Sequence, residues 1–226
     1  MPMFYFDKFC GKQILKSDFI SQAFFTTREG FDFSELHSRR CILPNQVHKD
    51  NVEFVDERNE YPDVDALILT NKEDTIYLKF ADCTPLVFYD TYKKIGAIAH
   101  AGWRGTVLKI GVKTIEKMQS NPEDIIAIVG PAISMCCYEV SDEVKAKLLS
   151  TVKNSEGLYR DRNVDLKRIN ARQLEEIGVN KIDICPYCTS CDNDVFYSYR
   201  KENGTDKRHW AVLNLNLWKM LTQITL

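Results

Sequence analysis

Glycine and proline are sparse in this sequence, 10 and 7 in 226 residues, which excludes collagen-like and low-complexity disordered chains. Long apolar runs are missing as well. The longest stretch without a charged residue, Ile125 to Tyr138, has fourteen residues and a Gly-Pro pair, whereas a membrane span needs roughly 20 apolar ones. Neither sign of charge prevails: 30 Lys and Arg face 32 Asp and Glu, a net charge of −2. With pI near 6.1, neither nucleic acid nor an anionic membrane is an expected partner. Asp7 and Lys8 interrupt the start, MPMFYFDKFC, where a signal peptide needs its apolar stretch, and a cytoplasmic protein is expected. There is no internal repeat and no Pro- or Ser-rich linker, so one domain over residues 1–226 is expected.

What is present is enough apolar material for a full core, 44% of the residues. Short runs rich in β-branched and aromatic residues read as strands: VEFV (52–55), ALIL (66–69), TIYLKF (75–80), LVFY (86–89), IGAIAH (95–100) and IIAIV (125–129). KIDIC (181–185), VFYSYR (195–200) and WAVLNLNL (210–217) follow. Three helices are expected. The first follows Gly105-Thr106, with Val107, Ile110, Thr114 and Met118 on one stripe, and ends before Asn121-Pro122. Ser141 caps the second, and the third runs from Asp165 to a stop at Gly178. An α/β protein with a mixed β-sheet core flanked by helices is predicted. Strict strand–helix alternation, GxGxxG and Walker A are all absent, so a doubly wound dinucleotide fold is not.

Histidine is scarce, with only four residues, and two of them have unusual settings. His48 lies in LPNQVHKD just before a strand run. His100 ends an apolar strand and opens the glycine-bracketed turn HAGWRGT. Between them, Ala81-Asp82-Cys83-Thr84-Pro85 joins two strand runs at a proline, which is not expected to extend a ladder. Two imidazoles and a thiolate make a sound zinc set that leaves a fourth position open, as catalytic sites do. From the residues alone, each could equally serve as an ordinary hydrogen-bonding side chain.

The motifs QVH (46–48), DALILT (65–70), ADCTPLVFYD (81–90), HAGWRGT (100–106), GPAIS with CCYEV (130–140) and FYSYR (196–200) resemble the laccase-domain family. That family, once called multicopper polyphenol oxidase, is read as zinc-dependent purine nucleoside phosphorylase. The resemblance implies Zn2+ on His48, Cys83 and His100. It also implies purine nucleosides (adenosine, inosine, methylthioadenosine) with phosphate as substrates, and adenosine deamination as a parallel activity. Copper is expected only as an adventitious substitute, because a trinuclear copper cluster needs more imidazoles than the sequence holds. The sequence departs from the family after Arg28, where TTREGFDFSELHSRR leads almost directly to Leu43-Pro44. The missing segment is expected to bear on one wall of a nucleoside pocket.

Arg104, in the HAGWRGT turn, is a candidate for holding an oxyanion such as phosphate, against pairing with a surface carboxylate. Asp82 is a candidate orienter of a ligating imidazole, or simply a turn cap. Cys137 is a candidate pocket residue, or a buried inert thiol. Cys185, Cys188 and Cys191 have metal-chelating spacing but no fourth ligand in a second C-x2-C, so no metal is expected on them. Two other functions are compatible with these residues: a metal-free cysteine hydrolase built on Cys83 and His100, and a non-enzymatic metal-binding module.

Overall fold

A computed structural model describes residues 3–217. The chain opens with a hairpin, β1 (Phe4–Phe9) and β2 (Lys12–Ser17), joined by Cys10 and Gly11 at φ 48° and 74°. Both turn residues are left-handed, which suits a tight hairpin and explains the glycine there. With β3 (Ala23–Thr26), β4 (Cys41–Ile42), β7 (Thr75–Phe80) and β14 (His209–Leu213), this hairpin forms a sheet in the order β1-β2-β3-β14-β7-β4. A second sheet contains β5 (Val52–Phe54), β6 (Ala66–Leu69), β8 (Thr84–Asp90), β9 (Ile95–Ala101), β10 (Ile125–Val129) and β13 (Lys181–Ile184), in the order β13-β10-β8-β9-β6-β5. Both mix parallel and antiparallel pairs. A short pair, β11 (Tyr159–Arg160) and β12 (Asn163–Val164), stands apart.

The sheets share one core, in which Phe25, Leu78 and Leu213 of the first meet Leu67, Val87, Ile98 and Ile128 of the second. Strands buried on both faces need apolar residues at successive positions, which is why ALIL and IIAIV are buried almost throughout. The far face of the second sheet, with Ile68, Phe88 and Ala97, packs on Ile110, Ile115 and Met118 of α2 (Ile110–Met118) and Leu174 of α4 (Leu166–Glu176). Between them in the chain lies α3 (Asp142–Leu149), capped as expected by Ser141, whose Oγ accepts from the Val144 N–H at 3.3 Å. The outer face of the first sheet carries an aromatic cover in which Phe33 stacks on Tyr77 at 4.0 Å. The mixed α/β expectation therefore holds, with the sheet doubled.

Four local readings are corrected. The helix expected after Gly105 is two, α1 (Trp103–Val107) and α2, broken at Lys109 with φ 56°. The cause lies at Thr106, whose carbonyl accepts from the Gln173 side chain at 3.0 Å and whose hydroxyl meets Asn170 at 3.0 Å. Fully buried against α4, the Thr106 carbonyl takes the tight i to i+3 bond from the Lys109 N–H at 3.0 Å, and the helix turns there. Pro85 lies inside β8 opposite His100, beyond the end of β10, where its missing N–H costs no ladder bond to that neighbour. VFYSYR forms turns, not a strand, because its surroundings fold around Glu202. That carboxylate accepts from Arg28, Asn193 and the Ser198 N–H. Finally, WAVLNLNL keeps its strand only to Leu213, since the Asn214 side chain donates to Thr75 and accepts from the Asn216 N–H.

His209 opens β14 fully buried, 5.3 Å from the Phe196 ring and 6.5 Å from Phe80. Burial keeps its imidazole neutral, with pKa lowered to about 3. The unfolded chain takes up that proton near pH 6.5. Stability from this group is therefore full above about pH 6.5 and falls by about 1.4 kcal/mol per unit as pH drops toward 3. Denaturant melts across that range should show this slope in the wild type and a shallower one in His209→Leu.

Candidate active site

The sandwich opens where the chain crosses from β7 of the first sheet to β8 of the second. Cys83 sits in that crossing, immediately before β8. His100 occupies the last turn of pleat in β9, paired across from Pro85. His48 comes from the loop before β5 and holds a left-handed backbone, φ 61°. The ligand atoms of these three residues lie within 4.8 Å of one another. The imidazole rings are 4.7 Å apart and nearly perpendicular. His48 is exposed and His100 is buried, so the group has one face toward solvent.

The residue that assembles this geometry is Asp65, fully buried just before β6. Its Oδ1 accepts from the His48 N–H at 2.9 Å and lies 2.9 Å from His100 Nδ1. Its Oδ2 accepts from the N–H groups of Val47 and Lys49 at 3.1 and 2.8 Å. One carboxylate thereby bends the 47–49 loop into its left-handed turn and presents His100 Nε2 to the opening. Burial alone would raise the Asp65 pKa, but His100 and the backbone donors hold it low. Sequence reasoning missed this role: Asp65 was visible as the first residue of DALILT, a charge abutting an all-apolar strand.

Asp82, a candidate either for orienting an imidazole or for capping its turn, bonds to neither. Its Oδ1 accepts from Thr189 Oγ1 at 2.7 Å and its Oδ2 from the Arg200 N–H at 2.7 Å, tying distant loops to the Cys83 crossing. Gly102 is required for close approach: a Cβ there would stand 3.0 Å from Cys83 Sγ and 3.5 Å from His48. Without a cation, burial opposes ionisation of Cys83, yet the neighbouring His100 and His48 win and bring its pKa down to about 6. Burial likewise disfavours the His100 imidazolium, but the Cys83 thiolate and Asp65 raise its pKa to about 9.

The three residues face a cavity of about 440 Å³, also lined by Tyr138, Tyr199, Arg200 and Arg208. That volume falls within the usual range for small-molecule sites. Arg104 lies at an adjoining recess that shares His48 and Cys83, with its guanidinium 4.4 Å over the Trp103 ring. Because α1 has only five residues, its dipole adds little, and any anion role rests on the guanidinium. The shortened segment after Arg28 contributes no side chain to the cavity lining; Phe31 and Phe33 pack instead on the outer aromatic cover.

Cys137 is not among the cavity-lining side chains. Its Sγ lies 3.4 Å from Cys191 Sγ. The argument that Cys188 and Cys191 lack partners also fails, since Cys136 and Cys137 join them while Cys185 stays buried elsewhere. Among the described residues, no helix is long and apolar enough to cross a membrane.

Comparison with known proteins agrees with this architecture. The chain is 32% identical over 198 aligned residues to purine nucleoside phosphorylase YlmD of Bacillus subtilis (strain 168), covering 77% of this chain and 70% of that protein. It is 33% identical to purine nucleoside phosphorylase CA_C1699 of Clostridium acetobutylicum, covering 74% of each. Its fold is similar to the crystal structure of YlmD from Geobacillus stearothermophilus, with TM-score 0.81 at 26% identity over 92% of this chain and 98% of that one. Bacillus licheniformis hypothetical protein YfiH is similar at TM-score 0.82, again at 26% identity and with the same coverage. Residues 25–216 match the family described as multi-copper polyphenol oxidoreductase laccase, and the chain belongs to that family.

Proposed function

We propose that this protein is a zinc-dependent purine nucleoside phosphorylase, with adenosine, inosine and methylthioadenosine as candidate nucleosides. The reading rests on one observation above others: a nucleoside-sized cavity is lined by two imidazoles and a thiol together with tyrosines and arginines. The names of the relatives point the same way. The donor set suits zinc, because His48, Cys83 and His100 are the residue types zinc prefers and Asp65 already occupies His100 Nδ1. Only two histidines reach this site, too few for the copper cluster in the family's descriptive name. When bound, zinc supplies a Lewis-acid charge for an oxyanion and lowers the pKa of a coordinated water.

The chain's own side chains account for binding. Tyr138 and Tyr199 offer aromatic faces for a purine. Burial raises the Tyr138 pKa, so it remains a hydrogen-bond donor at neutral pH. Arg104 and Arg200 supply guanidinium groups for phosphate. In the reaction the N-glycosidic bond breaks, a phosphate oxygen bonds to C1′ of the ribose, and the departing base takes a proton.

A second reading follows from the Cys83–His100–Asp65 alignment, which is also a thiolate–imidazole–carboxylate array of the kind used in nucleophilic catalysis. Metal analysis and a chromatographic assay separate the two. Purified protein should contain zinc, lose activity with a strong chelator, and release free base from a nucleoside only when phosphate is present. Full activity of metal-free protein would favour the hydrolase, and inosine formed from adenosine without phosphate would add deamination. Arg104→Ala should raise the phosphate KM or lower kcat by about tenfold to a hundredfold, the worth of one charge-assisted contact, with zinc content unchanged.

A further inference from the structure

Cys136, Cys137, Cys188 and Cys191 form a second group of donors, and their four sulfurs all lie within 4.8 Å of one another. Cys191 Sγ is 3.5 Å from that of Cys136 and 3.4 Å from that of Cys137. All eight cysteines are free thiols. Four sulfurs placed tetrahedrally around one zinc at 2.3 Å would stand about 3.8 Å apart, a separation that the observed group, with two pairs at 3.4 and 3.5 Å and none beyond 4.8 Å, can accommodate. We propose that these four cysteines bind a second, structural zinc ion, separate from the His48–Cys83–His100 group.

The backbone supports this assignment independently of the sulfur distances. Residues 134–138 form a turn in which the N–H groups of Cys137 and Tyr138 both donate to the Ser134 carbonyl, and this turn presents Cys136 and Cys137. The loop from Cys188 to Cys191 is shaped by Asp192, whose carboxylate accepts from the Cys188 N–H at 2.8 Å and whose N–H donates to the Cys188 carbonyl at 2.8 Å. The Ser134 N–H points at Cys188 Sγ at 3.3 Å, the kind of contact that orients and tunes a ligating thiolate. The turns are joined by the Thr189 N–H to the Ala132 carbonyl at 3.1 Å, so the cage draws on two segments that meet at one isolated β-bridge.

Position gives the ion its role. The first segment continues into Tyr138, and the second leads through Thr189, which donates to Asp82, to Tyr199 and Arg200. Tyr138, Tyr199 and Arg200 line the cavity, and they lie outside the two sheets. A tetrathiolate zinc there fastens the two segments where no ladder holds them, with no open position for substrate.

Elemental analysis of the intact protein should find two zinc ions per chain, and Cys83→Ser should retain one. X-ray absorption at the zinc edge of Cys83→Ser should then show four sulfur ligands near 2.3 Å. Cys136→Ala, which alters an exposed side chain, should lose that signal while the remaining zinc shows the mixed nitrogen and sulfur shell of the first site. Cys185→Ser should keep both ions. Because none of these measurements reads turnover, a failed phosphorylase assay would leave this inference standing. It is overturned if Cys83→Ser carries no zinc, if iron occupies the cage, or if thiol titration of the denatured, chelated protein reveals disulfides among the four cysteines.

Discussion

Asp65→Asn should cost about 10- to 100-fold in zinc affinity, with turnover falling in parallel, although the new side chain has nearly the same shape. The carboxylate serves three backbone donors and one imidazole with two oxygens. An amide has one acceptor oxygen, so its NH2 must face at least one pair of those donors. Each buried N–H left without an acceptor costs about 1–3 kcal/mol, which should appear as lower stability of the metal-free protein. Zinc titration monitored by a competing chelator, alongside denaturant melts of the apo form, checks both effects. Wild-type affinity in Asp65→Asn would mean that the 47–49 loop is held by other contacts.

Asp74→Ala should destabilise the fold by about 1–3 kcal/mol without touching the site, because it removes the shared acceptor of Arg39, Arg40 and Asn71 while both guanidinium groups keep contact with solvent. Asp74 is fully buried and takes a bidentate contact from Arg39 at 3.0 and 2.8 Å, another from Arg40 at 3.3 and 2.6 Å, and a bond from Asn71 at 3.0 Å. Its carbonyl also accepts from the Asn214 side chain at 3.1 Å. Burial would raise the Asp74 pKa, but the two guanidinium groups and Asn71 drive it far below the carboxylate range. A depressed folded pKa gives stability that is present above the unfolded value, near 3.9, and is lost as pH falls below it. Melts should therefore separate wild type from Asp74→Ala widely at pH 7 and bring them closer in strong acid.

The elements read best from sequence are those whose burial is uniform. ALIL and IIAIV become β6 and β10 with the expected limits, because a strand covered on both faces leaves little choice of residue. The trio His48, Cys83 and His100 was legible for a different reason: strand ends and loops made each a candidate, and the motifs QVH, ADC and HAGWRGT, through their resemblance to the laccase-domain family, marked them as one group. What escaped detection depends on contacts between distant segments. The break after α1 follows from Gln173 reaching Thr106, and the turns of 195–200 follow from a single carboxylate at Glu202. The thiol cage joins positions more than fifty residues apart, so neither half announces it: Cys188 and Cys191 make one spaced pair and Cys136-Cys137 an adjacent one.

The donors and the rest of the cavity lining come from different kinds of structural element. His48, Asp65, Cys83 and His100 are anchored at the ends of paired strands, where a one-residue slip in register would turn His100 to the other face of the sheet. Tyr138, Tyr199, Arg200 and Arg208 lie in turns and connections, where side chains can be exchanged without disturbing a ladder. Reactivity is thus inherited with the scaffold, while selectivity is free to drift. Relatives that keep the same reactive group can diverge in which molecule they accept by altering only these turns, and a designer seeking a new substrate would begin there.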